Sequence, residues 1–185
     1  MENLHAMTDS RVYINKVHSS DRKEIIELAN SSIGLHQPWI SAPITSSMFK
    51  QYLKRISQDD HEGIAIRLEA DNQIVGVINI NNIVRGSFLS ASLGYYVSKL
   101  HQGHGYMTEA LNAVIQFAFR NMGLHRVEAN IQPSNQRSKN LVQRCGFEFE
   151  GISKKFLYIN GEWKDHERWA IVDTRSTMDL IAHLS

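Results

Sequence analysis

Gln102, Gly103, His104, Gly105, Tyr106, Met107 and Thr108 bring two glycines, one residue apart, to the point where a strand-like run gives way to a helical one. Before the turn, Leu93, Tyr95 and Val97 alternate with smaller or polar neighbours. After it, Leu111, Val114, Ile115, Ala118 and Phe119 recur at helical spacing. The first four amides of a helix have no partner within it. Those N–H groups and the positive end of the helix dipole together favour an anion, most often a phosphate. Glycine lets a phosphate approach the backbone without meeting a Cβ. The turn is therefore expected to hold a phosphate-bearing ligand.

Two familiar phosphate motifs fit poorly. A P-loop needs G-x-x-x-x-G-K-S/T, which is absent. A dinucleotide fingerprint needs a third glycine where Thr108 stands, although Glu128 lies about 20 residues on, as a ribose ligand would. An ordinary turn containing two glycines stays open on these residues alone. His101 and His104 have His-x-x-His spacing with no third ligand nearby in sequence, so they read as solvated loop histidines and no metal is expected.

The elements around the turn follow from periodicity and punctuation. Arg11–Val17 reads as a strand, and Ser19, Ser20 and Asp21 offer caps for a helix carrying Ile25, Ile26, Leu28 and Ala29. A loop with Gly34, Pro38 and Pro43 holds His36, Trp39 and Ile40, and a second helix is expected over Ser46–Gln58. Gly63–Glu69, Ile74–Ile83 and Leu89–Val97 form an antiparallel meander with short links. Thr108–Met122 is an amphipathic helix stopped near Gly123. Val127, Ala129 and Ile131 mark a strand closed by Pro133, and a helix runs from near Asn135 to Gly146. Phe147–Ile159 and Glu162–Val172 flank Asn160-Gly161, a strong hairpin signal that sets Tyr158 against Trp163. The order β-α-α-β-β-β-α-β-α-β-β indicates one α/β domain over 11–175, with a loose leader at 1–10 and a tail at 176–185.

Composition narrows the class. The 185 residues suit one domain with a real core, and 42% hydrophobic and 21% charged residues are ordinary for a globular protein. A net charge of +1 argues against a nucleic-acid partner. No apolar run approaches a membrane span, and the lone Cys145 fits a reducing compartment, so the expected location is cytoplasmic.

The turn has company along the chain. Gln102-Gly103-His104-Gly105-Tyr106-Met107 resembles the Q/R-x-x-G-x-G/A signature of the GNAT superfamily of N-acetyltransferases. Asn135-x-x-Ser138-x-x-Leu141, then Gly146-Phe147-x-x-Glu150-Gly151, resembles its next segment. Tyr158-x-Asn160-Gly161 and Asp165 are similar to the RimJ/RimL branch, which acetylates N-termini of ribosomal proteins. The resemblance runs in order over residues 10–175 and implies the GNAT fold, a splayed, mostly antiparallel sheet flanked by helices. It also implies transfer of acetyl from acetyl-CoA (coenzyme A) directly to an amine, with no acyl-enzyme. Protein N-terminal α-amines are the first expectation; polyamine or aminoglycoside acetylation, or a catalytically weak CoA-binding sensor, are the alternatives. A monomer or homodimer is expected.

By the same resemblance, Gln102–Thr108 would hold the pyrophosphate and the backbone of Tyr96 and Val97 the pantetheine amides. Asn135 and Ser138 would hold the arm and its thiol. Cys145 is not needed as a nucleophile. Many relatives carry a catalytic Glu where this chain has Asn130, a Tyr acid where it has Val142, or a Glu where it has Leu157. Ser138 is then the first candidate to order water or protonate the leaving thiolate, with a helix-start hydroxyl as the bland reading. Glu128 shares a strand face with Arg126 and Asn130, and serves either as a base through water or as an ion-pair partner of Arg126. Trp39 and His36 would line the acceptor groove or pack in the core. Tyr95 and Tyr96 face opposite sides of their strand, so one faces the cleft. Glu109 sits in the first turn of its helix, where the dipole accounts for it.

Overall fold

The computed structural model describes residues 10–175; the expected leader, except Ser10, and the expected tail lie outside the described residues. Seven strands form one sheet: β1 (Val12–Lys16), β2 (His61–Leu68), β3 (Ile74–Val84), β4 (Ser90–Val97), β5 (Arg126–Ile131), β6 (Glu148–Ile159) and β7 (Glu162–Val172). Their order is β1-β2-β3-β4-β5-β7-β6. All neighbours are antiparallel except β4 and β5, which run parallel. A parallel pair needs a crossover, and α4 (Tyr106–Arg120) supplies it. The remaining helices are α1 (Arg22–Ser31), α2 (Ile33–His36), α3 (Ser46–Ile56) and α5 (Gln136–Arg144).

Each face of the sheet buries its own apolar layer. Val114, Ala118, Leu141 and Val142 from α4 and α5 pack with Ile14, Ile66, Ile78 and Val127. Ile25, Leu28, Phe49 and Tyr52 from α1 and α3 pack with Ala65, Ile74, Val77 and Tyr96 on the other side. Covered on both faces, β3 is buried without interruption from Ile74 to Ile80. Arg67, 5% exposed, is the one cation among the buried described residues. It donates to Asp21 at 2.7 Å, Asn15 at 3.0 Å and the Asn72 carbonyl at 2.9 Å, which satisfies the charge it takes out of water.

Local signals placed most boundaries within two residues. Asn160 and Gly161 both take positive φ (52° and 85°), as a type I′ hairpin requires, and Tyr158 pairs with Trp163 at a ring distance of 5.6 Å. The stretch expected to be loop between the first two long helices contains the single turn α2. The helix expected from Thr108 starts at Tyr106, because Gly105 at φ 87° turns the chain directly into it. No helix among the described residues is long and apolar enough to cross a membrane.

Candidate active site

In α/β folds ligands collect beyond the carboxyl ends of parallel strands, and here that place joins the end of β4 to the start of α4. Gly103 and Gly105 sit at φ 81° and 87°, a region open to glycine and costly for other residues. A Cβ on Gly103 would meet no atom within 4 Å, so the turn is open above it. Thr108 and Glu109 are the first amides of the helix to find a backbone acceptor, both on the Gly105 carbonyl, at 2.9 and 3.2 Å. The amides before them make a cradle for an anion.

Long-range contacts brace this turn. Arg11 donates from Nη2 to the His104 carbonyl at 2.8 Å, stacks over Tyr106 at 4.9 Å, and meets Glu109 through its backbone N–H and its guanidinium. The rings of His104 and Tyr106 stack at 5.6 Å. Burial alone would raise the Glu109 carboxyl, but its hydrogen bonds from Arg11 outweigh that and hold it below the usual carboxylate range. A group with a lowered folded pKa adds stability above its unfolded value of about 4.3 and loses it as pH falls through the lower folded value. The denaturation midpoints of native protein and Glu109→Gln should therefore differ at pH 7 and converge in that acid window.

The parallel pairing of β4 with β5 stops at Leu93 and Ala129. Gly94–Val97 and Asn130–Ile131 then run apart, opening a slot in the middle of the sheet. Unpaired backbone inside a sheet is costly unless something completes it. Tyr96 faces Val77 in the same register that carries the bond from Ser98 N to Val75 O, so its polar backbone belongs to β3. The groups turned toward the slot are therefore those of Tyr95 and Val97, a shift by one residue from the expected Tyr96 and Val97. The Val97 carbonyl is already engaged: His36 Nε2 donates to it at 2.9 Å. His36 is 5% exposed and its pKa is lowered, mainly by burial, so it is a neutral Nε2–H imidazole bracing β4. It does not line the cavity.

That cavity, about 790 Å³, opens from the slot between α3, β3, β4, the end of β5 and the β6–β7 hairpin. Trp39, Asn130, Asn135 and Ser138 line it, and so do both Tyr95 and Tyr96, where only one tyrosine was expected: they pack on opposite sides of β4, and both border the slot once β5 has parted from that strand. The hairpin is tied down over it by Asn160, which donates to the Pro38 carbonyl at 3.1 Å. The hydroxyls of Tyr95 and Tyr96 and the Asn130 Oδ1 are buried there without a hydrogen-bond partner. Tyr95 and Ser138 hydroxyls face each other without a well-formed bond, and burial pushes the Tyr95 phenol up to about 12. No Asp or Glu lines the cavity among the described residues; its charged or imidazole side chains are Arg55, His61 and His166.

Asn135 caps α5, its Oδ1 accepting from Ser138 N at 3.2 Å. Asn135→Ala should lower stability by about 1 kcal/mol in a thermal or urea titration. Glu128 lies outside the cavity lining, bound by Arg126 at 2.8 Å and by Arg168 at 2.9 and 3.0 Å. His101 and His104 sit 6.5 Å apart by ring centroid, and no cluster of three metal-ligating side chains occurs among the described residues. Cys145 is buried, and desolvation pushes its thiol up to about 11, so it is an inert core group.

His166 was not singled out by motif or spacing. It is 2% exposed on β7, and its Nδ1 donates to the Lys164 carbonyl at 3.0 Å. Only the alternation of β7, read from the Asn-Gly turn inward, could have put it on the face of Arg168 and Asn130.

A cradle of helix-start amides next to a slot of unpaired strand backbone suits a ligand with a diphosphate and an amide-bearing arm, which is the build of coenzyme A. Comparison with known proteins agrees. Residues 11–148 match the family model described as an acetyltransferase (GNAT) domain. The Escherichia coli (strain K12) protein named ribosomal protein uS5-alanine N-acetyltransferase is 34% identical over 86% of this chain and 87% of its own length. The spermidine N(1)-acetyltransferase of Vibrio cholerae is 25% identical over 90% of this chain and 96% of its own. The structure of Mycobacterium smegmatis RimJ in complex with CoA-disulfide superposes with a TM-score of 0.80 at 25% identity, covering 93% of this chain and 88% of that one. On its sheet, its turn and these matches, the chain belongs to the GNAT acetyltransferases.

Proposed function

We propose that this chain transfers acetyl from acetyl-CoA directly to the α-amine of a protein N-terminus, with ribosomal proteins as the leading class of acceptor. The amides of Gln102–Met107 hold the diphosphate. The backbone of Tyr95 and the Val97 N–H take the pantetheine arm, and Asn135 and Ser138 stand beside its far end.

The carboxylate-free acceptor cavity carries this reading. A polyamine keeps two or more ammonium groups at neutral pH, and taking them out of water without counter-charges is expensive. A peptide α-amine reacts in its neutral form, and the peptide behind it finds hydrogen-bonding partners in Asn79, Asn81, Asn82 and Gln132, all in the lining. The single Cys145 and the proposed acceptor class support a cytoplasmic setting for the reaction.

The test is a cell extract incubated with the protein and labelled acetyl-CoA, read by mass spectrometry. Label at protein N-termini is the expected result. Label confined to small amines, or no label although CoA binds, would overturn it; the latter outcome would favour a CoA-binding sensor.

A further inference from the structure

We propose that His166 is the general base of this site: its Nε2 takes the proton of the acceptor amine as that amine attacks the thioester, then returns it to the departing thiolate. The inference rests on the acetyl-transfer reading above and supplies the proton acceptor that Asn130, Val142 and Leu157 cannot.

Tautomer and placement argue for it first. A backbone carbonyl can only accept, so the 3.0 Å contact with Lys164 O puts the hydrogen on Nδ1. The lone pair of the neutral ring is then on Nε2, which has no hydrogen-bond partner among the described residues, while the side chain lines the acceptor cavity. In the β5–β7 register Asn130 pairs with Arg168, so His166 lies two residues along on the same face, where the slot begins. Diagonal neighbours on one face are about 7–8 Å apart, close enough for an amine or one water to bridge Asn130 and His166. Asn130 lines the cavity on the same face, so its side chain stands beside an amine held at His166.

The electrical surroundings keep the ring neutral. Burial lowers its pKa from 6.5, and the Lys164 carbonyl and the adjacent Asp165 only partly offset this. Asp165 is itself held by Lys154 of β6 at 2.8 Å, and Arg168 by Glu128 of β5. β6 presents Ser153 opposite His166 and the edge of Phe156 at 6.1 Å. β5 offers the uncharged Asn130 and Gln132, and across the cavity stand Arg55 and His61, the latter paired with Asp60 at 2.7 Å. No carboxylate touches the ring to raise it, so the basic form persists through neutral pH.

The proton balance closes on this one group. The amine nitrogen bonds to the carbonyl carbon, its proton passes to Nε2, and the carbon–sulfur bond breaks with the electron pair leaving on sulfur. The imidazolium gives the proton to that thiolate, leaving amide, thiol and the original enzyme. Tyr95 cannot replace it in the last step: with a phenol near 12, protonating a thiolate of ordinary basicity runs roughly three orders of magnitude uphill. Tyr95 and Ser138 instead act by donating hydrogen bonds to the sulfur.

His166→Asn keeps an amide donor near the Nδ1 position and removes the base. With acetyl-CoA and a peptide α-amine, its kcat should fall about 100-fold. KM for acetyl-CoA should stay within twofold, and the low-pH limb of the native kcat profile, set below 6.5, should vanish. Imidazole added to His166→Ala should restore part of the rate. A variant within threefold of native kcat that keeps the limb overturns the proposal. If the variants do not fold, the native protein decides: the kcat limb must coincide with the His166 ring titration followed by NMR with CoA bound, and a limb elsewhere overturns it. An enzyme that acetylated only some other amine would refute the acceptor assignment, while the same profile on that amine would still judge His166.

Discussion

A peptide with a free α-amine is expected to be acetylated several hundredfold faster, in kcat/KM at pH 7.5, than its α-blocked twin carrying a lysine. The difference starts in water. An α-amine titrates near ~7.7–8.0 and a lysine near ~10.4, so roughly a third of the former and about one part in a thousand of the latter are neutral at that pH. That is about 3 kcal/mol of deprotonation cost. A site can offset it with an anion beside the ammonium or with a strong base, and the described lining of this cavity contains neither: it has no carboxylate, and its buried imidazole titrates below the ordinary histidine value. Raising the pH toward 9 should therefore lift the lysine rate about tenfold per unit while the α-amine rate levels off. Equal rates at pH 7.5, or faster turnover of the blocked peptide, would refute the assignment.

Gly105→Val is expected to weaken acetyl-CoA binding by about 10- to 100-fold, measured by calorimetric titration. The residue sits at φ 87°, where a branched side chain costs about 1–3 kcal/mol. Its Cβ would also come within 3.1 Å of Arg11 Nη2, the group that holds the His104 carbonyl. Relief requires the turn to change shape, and the amides that make the cradle belong to the same few residues. Because 1.4 kcal/mol is tenfold in affinity, that strain sets the expected range. Gly103→Ala is the control: it has a similar φ of 81° but open space around its Cβ, so it should lose less. Unchanged affinity in Gly105→Val would mean that the diphosphate binds elsewhere.

The strand–turn–helix at Gly103 and Gly105, the meander and the Asn160-Gly161 hairpin were readable from the chain itself. Each is written in residues within a turn or a few strand positions of one another: periodicity marks the buried face and glycine marks the positive φ. The same locality put Arg126, Glu128 and Asn130 on one face of β5 and Tyr95 and Tyr96 on opposite sides of β4.

What those residues do there depended on partners far away in sequence. Arg11 reaches Glu109 across 98 positions and turns a dipole-favoured carboxylate into the brace of the two-glycine turn. His36, expected at the acceptor groove, crosses 61 positions to the Val97 carbonyl and becomes part of the β4 support. The shift from Tyr96 to Tyr95 is decided by which backbone groups β3 consumes, a matter of register between separate strands. His166 reaches the slot because β7 pairs with β5 and not with β4. The amino-acid sequence thus determined the elements, the family and the two-glycine turn, since these rest on short-range sterics and hydrogen-bonding chemistry. Strand order and register decided which side chains share the cavity, because a one-residue slip or a different neighbour exchanges every face.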